Sequence, residues 1–282
     1  MNEPVDEIPV SVIVPAHDEA GFIAATLGAL IASDLTGLDA QVIVVANGCT
    51  DDTARVARGM EPVAQAAGWT FCVIDSAKGG KPLALDLGEA EATGNVLVYL
   101  DADVTVTPGL IGSLARALDR DTPVYGSGTP LVSRSPSAVT RAYARVWTRL
   151  PFFKTRAPGF GLFAMSRAGR SRWGRWPRVR GDDAFARLVF DRDERVQVRE
   201  TYEWPLSDGF LPLVRVRRRQ DRGVREVMVV QPGLGANEDK PALGARGLVG
   251  LLVNDPVGWL VYAAVKFASK LPVPEERWAR GR

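Results

Sequence analysis

Val96-Leu97-Val98-Tyr99-Leu100-Asp101-Ala102-Asp103-Val104 is an apolar run closed by two carboxylates. Five apolar residues in a row read as a short strand buried on both faces. Open α/β sheets bind ligands beyond the C-terminal ends of their strands, which is where Asp101 and Asp103 fall. Spaced i and i+2, both can turn toward one cation. Hard carboxylate oxygens suit Mg or Mn, ions commonly shared with substrate phosphates. Taken alone, the same residues also read as a polar turn ending a strand.

The sequence on either side decides between these readings. Val10–Val14 reads as a first strand, stopped by Pro15 and followed by a loop through Glu19. Apolar residues at helical spacing predict a helix over 21–33, and Val42–Val45 a second strand before the turn signal Asn47-Gly48. Asp51 and Asp52 can cap a helix expected over 53–67. A third strand is expected at 70–74 and a third helix at 82–92, and Thr107-Pro108 is a good helix start. Such alternation implies a mostly parallel sheet with helices on both faces. Parallel strands put their C-terminal ends together, so the loops 15–19, 46–52, 75–81 and 101–105 are expected at one sheet edge.

Beyond Asp121 the alternation stops. Ser135-Pro136 is expected to start a helix to about Leu150, with Val139, Tyr143, Val146 and Leu150 on one face and Arg141, Arg145 and Arg149 on the other. Ala157-Pro158-Gly159-Phe160-Gly161 reads as a tight loop or short hairpin. Gly181-Asp182-Asp183 leads into an apolar helix over 184–190, and 196–204 alternates like a strand.

With 282 residues, the chain has room for one large α/β domain, or one with an appendage. The net charge of +2 is unremarkable, but its distribution is not. From Thr122 to Gly181 there is no Asp or Glu, and every charged residue from Arg134 to Arg180 is basic. This suggests either an anionic partner or a solvated arginine-rich face. Two cysteines, Cys49 and Cys72, make neither a zinc site nor a disulfide framework. The single histidine, His17, and the lack of a Gly-x-Ser-x-Gly elbow leave a carboxylate as the expected general base. Glu3, Asp6 and Glu7 make the N-terminus acidic, unlike a secretory signal. Near the C-terminus, the apolar stretches 248–253 and 257–268 are too short to span a bilayer. They fit a peripheral membrane contact or a buried helix.

In this order, the pieces resemble family 2 glycosyltransferases, inverting enzymes with the GT-A fold that use nucleotide-diphospho sugars. The resemblance runs over 8–190 and more faintly to Gly223. It rests on Pro15-Ala16-His17-Asp18-Glu19, Val44–Thr53, Lys78-Gly79-Gly80-Lys81, Asp101-Ala102-Asp103 and Gly181-Asp182-Asp183. Arg219-Gln220-Asp221-Arg222-Gly223 is similar to the family's Gln-x-x-Arg-Trp only in part. Two further positions depart from the family pattern: Asp18 stands where Asn is usual, and Ala46 where an Asp often contacts the nucleotide base.

The resemblance implies a catalytic GT-A domain over 8–215, with a nucleotide-binding half at 8–121 and an acceptor and base half at 122–215. A helical C-terminal extension over 216–282, suited to membrane association, follows. It implies that Asp103 holds a divalent Mg or Mn ion and that Asp101 contacts the metal or the ribose. Pro15 and Glu19 line the nucleoside, with Glu19 alternatively an acidic helix cap. Asn47 substitutes at the base, or the base differs from uracil. Lys78 or Lys81 faces the diphosphate, and so does Arg222. Asp183 is the expected catalytic base, with Asp182 supporting it or contacting the acceptor. UDP is the default donor nucleotide and the acceptor a glycan or lipid-linked hydroxyl. No nucleic-acid partner is expected, and the location is cytoplasmic, at the inner face of the membrane. The competing functions are a nucleotidyltransferase and a non-catalytic nucleotide-sugar-binding protein. The former usually carries a basic, Gly-rich loop directly after its first strand, where this chain has 15–19.

Overall fold

The computed structural model describes residues 7–272. Glu3, Asp6 and the end of the expected extension, 273–282, lie outside them. The chain divides into two compact units. One holds the residues up to Leu131 together with Gly159–Arg178 and Val189–Trp204; the other holds Val132–Pro158, Val179–Leu188 and the described residues from Pro205 on.

The first unit is built on an α/β alternation. In order come β1 (Ile8–Ala16), α1 (Ile23–Ile31), β2 (Leu38–Asn47), α2 (Thr53–Arg58), α3 (Glu61–Ala66) and β3 (Thr70–Ser76). Then follow α4 (Lys81–Glu91), β4 (Val96–Leu100), β5 (Thr105–Val106), α5 (Leu110–Leu118) and β6 (Tyr125–Val132). After α6 (Ala138–Trp147), which belongs to the second unit, come β7 (Leu162–Ser166) and α7 (Arg167–Arg170). After α8 (Asp182–Leu188), again of the second unit, β8 (Arg195–Trp204) completes the sheet. The second unit ends with α9 (Phe210–Val230), α10 (Ala245–Asn254) and α11 (Pro256–Lys270).

The strand order is β3-β2-β1-β4-β7-β6-β8-β5. The first four strands run parallel, while β7 pairs antiparallel with both β4 and β6, and β5 pairs antiparallel with β8. The α/β sheet expected from the alternation is therefore present, with an antiparallel continuation beyond β4. All five residues of β4 are buried, as an apolar run covered on both faces requires. The chain steps from β3 on one side of β1 to β4 on the other. The switch point, and the crevice it opens, lies between β1 and β4. The β1–β4 ladder ends at Ile13 and Tyr99, although β1 continues to Ala16. Pro15 lies beyond that ladder, where its missing N–H costs no bond to β4.

Several elements differ from the sequence expectation. The single helix expected over 53–67 is two, α2 and α3, separated at Gly59-Met60. Pro62 sits in the first turn of α3, where a proline is tolerated. β6 and β7 are additional strands. Gly126, Gly128 and Pro130 give β6 the look of a turn, and β7 has only five residues. Both are formed by pairing with neighbours far away in sequence. The helix expected from Ser135-Pro136 begins after Ser137, whose hydroxyl accepts the Thr140 N–H.

In the second unit α11 lies against α6 and α9. Arg218 on α9 donates to the Ala268 and Ser269 carbonyls at the end of α11, at 2.6 and 3.2 Å, capping it. Much of the acid-free arginine run is structural. In the first unit Arg170 pairs with Glu89 at 2.6 Å and Arg172 with Glu194 at 2.5 Å, while Arg167 donates to the Ala92 and Gly94 carbonyls. In the second, Arg145 pairs with Asp255 at 2.6 Å and Arg180 with Glu226. No helix among the described residues is long and apolar enough to cross a membrane.

Candidate active site

Four strand-end loops of the first unit are stitched into one surface by hydrogen bonds. Asn47, only 3% exposed, ends β2. Its amide nitrogen donates to Ala16 O at 2.7 Å, and its amide oxygen accepts the Gly80 N–H at 2.9 Å. One side chain thus joins the loops after β1, β2 and β3. His17 Nδ1 lies 2.7 Å from Asn47 O. A carbonyl only accepts, so Nδ1 carries the proton in this contact. Gly48, at φ 61°, is tied to the β3 loop through its N–H on Ser76 O at 2.7 Å. A Cβ there would stand 2.7 Å from the Gly79 backbone, so glycine is required by contact as well as by dihedral.

Asp18 explains how the chain manages without the family's Asn. It adopts φ 54°, a left-handed conformation that Asn and Asp tolerate best among residues with a Cβ. Its carboxylate accepts the Thr50 N–H at 2.6 Å and the Asp51 N–H at 3.2 Å. Asp51 in turn accepts from the Thr53 hydroxyl and N–H and from the Ala20 N–H. Partial burial pushes the Asp51 carboxyl up, but those bonds outweigh it and hold it below its ordinary value. Glu19 donates its N–H to Thr53 Oγ1 at 2.7 Å, and its carbonyl accepts the first amides of α1. Asp18 has no assigned role at the level of sequence; its place after the first strand and its short polar side chain were the available signals.

The loop after β4 carries the paired carboxylates. Ala102 is buried, and its carbonyl accepts the Thr26 hydroxyl of α1 at 2.8 Å. Asp101 and Asp103, on either side of it, are half-buried. The Asp101 N–H donates to Gly161 O at 2.8 Å, so the approach to β7 fixes this loop from below. Lys81, the first residue of α4, places Nζ 2.8 Å from Asp101 Oδ1. Lys78 is exposed in the loop before it. Two carboxylates flanking a buried alanine give the hard-oxygen donor set that suits Mg or Mn. With Lys81 beside them, the site also carries a point charge for an anionic group.

Pro15, Glu19, Asn47, Lys81, Asp101 and Asp103 therefore lie on one edge of the first unit. Asp182, Asp183 and Arg222 belong to the second. Asp182 and Asp183 open α8; Asp182 is buried and Asp183 half-buried, its carboxylate accepting the Ala184 N–H at 2.7 Å. Negative charge at a helix start is favoured by the exposed amides and the helix dipole. Behind them α9 passes at backbone contact: a Cβ on Gly223 would lie 2.8 Å from Gly181 N. Arg222, the neighbour of Gly223 on α9, is exposed. Gly223 stands where the family carries Trp, and the backbone contact gives a physical reason for the substitution.

Comparison with known proteins follows the same lines. The profile of glycosyl transferase family 2 matches residues 11–171. A search of curated protein sequences gives no match. Among solved structures, TarS from S. aureus in complex with UDP superposes with a TM-score of 0.55 at 15% identity, over 76% of this chain and 64% of that one. The mannosyltransferase PcManGT from Pyrobaculum calidifontis, in complex with GDP-Man and Mn2+, gives 0.57 at 20% identity, over 94% and 76%. Glucosyl-3-phosphoglycerate synthase from Mycobacterium tuberculosis, with Mn2+, UDP and glucosyl-3-phosphoglycerate, gives 0.51 at 21% identity, over 79% of each chain. At these identities the likeness establishes the shared fold.

Proposed function

The chain belongs to glycosyl transferase family 2, and from that footing we propose that it moves a sugar from a nucleotide-diphospho sugar to an acceptor hydroxyl with inversion at the anomeric carbon. The observation that carries this reading is the gathering of four strand-end loops at the β1–β4 crevice, with Lys81 and Asp101 in contact among them. Structures of the same fold bind UDP, UDP-GlcNAc or GDP-Man, which supports a nucleotide-sugar donor and leaves UDP as the first to test. Two of them hold Mn2+, in keeping with the donor set of Asp101 and Asp103. Asp101 and Asp103 would hold a divalent Mg or Mn ion, which would supply positive charge to the departing diphosphate.

The chain's own residues do the rest. Lys81 adds its ammonium to the diphosphate side of the site. Pro15 and Glu19 border the nucleoside, and Asn47 contributes by holding three loops in register around it. Ala46 is fully buried and offers the base no hydrogen bond, so discrimination between bases falls to other groups. Asp183, the more exposed of its pair, takes the proton of the acceptor hydroxyl as it attacks; buried Asp182 keeps the helix start in shape. Arg222 offers the diphosphate a second cation. This reading keeps 8–121 as the donor half, 122–215 as the acceptor and base half, and 216–282 as an extension. The acceptor is a glycan or lipid-linked hydroxyl, and the extension rests on the inner face of a membrane.

The test is a thermal-shift panel of UDP-, GDP- and dTDP-sugars with and without Mn2+, followed by turnover of Asp183→Asn. A metal-dependent shift with one nucleotide class, and a variant that binds donor without transferring, is the expected result. Full turnover by Asp183→Asn removes the base assignment. Absence of any shift removes the donor assignment.

A further inference from the structure

The second unit exposes more apolar surface than its own fold accounts for. On α11, Val257, Leu260, Ala264 and Phe267 are all exposed, as is Leu271 just past its end, with Val257, Leu260 and Phe267 at 61, 60 and 68%. They recur every three or four residues, which is the spacing of one helix face. The stripe covers roughly 21 Å along the axis. On α10, Leu248, Val249, Leu252 and Val253 are likewise exposed, and only Leu251 is buried. Such stripes on a surface mark an interaction site rather than ordinary scatter.

The charges around the stripe select its partner. Arg246, Lys266 and Lys270 are exposed on the same two helices. The one acid of the pair, Asp255, sits at the joint, accepts the Gly258 N–H at 2.8 Å and is neutralised by Arg145. An apolar face bordered by cations, on helices too short to span, fits the surface of a bilayer with anionic headgroups. A coiled-coil seam with a second copy fits less well. The positions flanking the stripe are Val261, Ala263, Ala268 and Lys270, which offer a copy's lysine no carboxylate.

We propose that the exposed face of α10 and α11 docks on an anionic bilayer surface, the apolar stripe entering the headgroup boundary and Arg246, Lys266 and Lys270 meeting phosphates. The proposal deepens the peripheral membrane contact put forward above and rests on that reading, but not on the transfer chemistry.

The test is co-sedimentation of the full chain with phosphatidylcholine vesicles, with and without phosphatidylglycerol, at low and high salt. The wild type is expected to partition onto vesicles containing phosphatidylglycerol and to leave them as salt rises. Leu260→Ser with Phe267→Ser, both at exposed positions, is expected to weaken partition by about tenfold or more with unchanged melting temperature. Lys266→Glu with Lys270→Glu is expected to abolish the preference for phosphatidylglycerol. Absence of wild-type partition, or partition unaffected by the serine variants, overturns the proposal. So does a dimer in sedimentation velocity that the serine variants dissociate while vesicles bind nothing, because the face then joins two copies. Donor hydrolysis measured without vesicles separates the readings: its loss alone counts against transfer, and lost partition alone counts against docking.

Discussion

Lys81 Nζ stands 2.8 Å from Asp101 Oδ1, so the first carboxylate of the Asp-x-Asp pair already has a cationic partner before any ligand arrives. Both side chains are about one-third exposed, and a pair of that kind contributes only about 0–1 kcal/mol to stability. Its value lies with the donor. Lys81→Met is therefore expected to leave the melting temperature nearly unchanged and to lower transfer by roughly ten- to a hundredfold, the range of a lost electrostatic group at a charged transition state. Unchanged transfer would show Lys81 to be an ordinary surface lysine.

Asn47 is different, because it is buried and bonded at both ends of its amide. Asn47→Ala strands the Gly80 N–H and leaves the Ala16 carbonyl only the weak Cys49 thiol donor, a cost of about 1–3 kcal/mol for a group left unsatisfied. The expected outcome is a clear drop in the urea midpoint together with weaker donor binding. Asn47→Asp is expected to be no better, since a carboxylate cannot donate to Ala16 O. A variant as stable as wild type would refute the clasp.

Gly223→Ala tests the contact between α9 and the aspartate pair. The new Cβ would lie 2.8 Å from Gly181 N and 3.0 Å from the Arg180 carbonyl carbon, both backbone atoms that cannot swing aside. Overpacking of this kind costs about 1–3 kcal/mol. Loss of stability with a larger fall in transfer than in donor binding is expected, because Asp182 and Asp183 follow directly on Gly181. Full transfer at full stability would mean that α9 can move away freely.

Asp255 gives a pH signature. The hydrogen bond from Arg145, then that from the Gly258 N–H, hold its carboxyl at about 2, against an ordinary value of 3.8. A depressed folded-state pKa stabilises the fold above the unfolded value and loses that contribution as pH falls through the folded one. Asp255→Asn is thus expected to melt lower than wild type at neutral pH, with the gap closing between about pH 4 and 2. A gap constant across that window would rule out the ion pair as its source.

The legibility of the fold followed the kind of force that builds each part. β1, β2 and β4 are runs of Val, Ile and Leu buried on both faces, so composition alone marks them. β6 and β7 are specified by partners, not by their own residues: Leu162–Ser166 forms a strand because β4 and β6 accept it. The carboxylates of the site were readable because strand ends in such sheets gather at one edge. The Asn47 clasp was not, because a hydrogen bond to Gly80 leaves no periodic trace in the sequence. Nor was the Lys81–Asp101 contact, which depends on where α4 begins relative to β4.

The sorting of charge along the chain has a consequence for the order of assembly. Arg145, Arg172 and Arg180 lie in a stretch devoid of acids, and their partners Asp255, Glu194 and Glu226 all come later. Of the acidic partners named for that stretch, only Glu89 precedes the arginine it binds. A chain emerging from the ribosome N-terminus first therefore presents most of these cations before their carboxylates have been made. The arginine-rich segment cannot mature on its own, and a chain cut short before α9 would carry Arg145 and Arg180 as unmatched charge. Release of the finished chain, rather than the local sequence, brings the last of these arginines to neutrality.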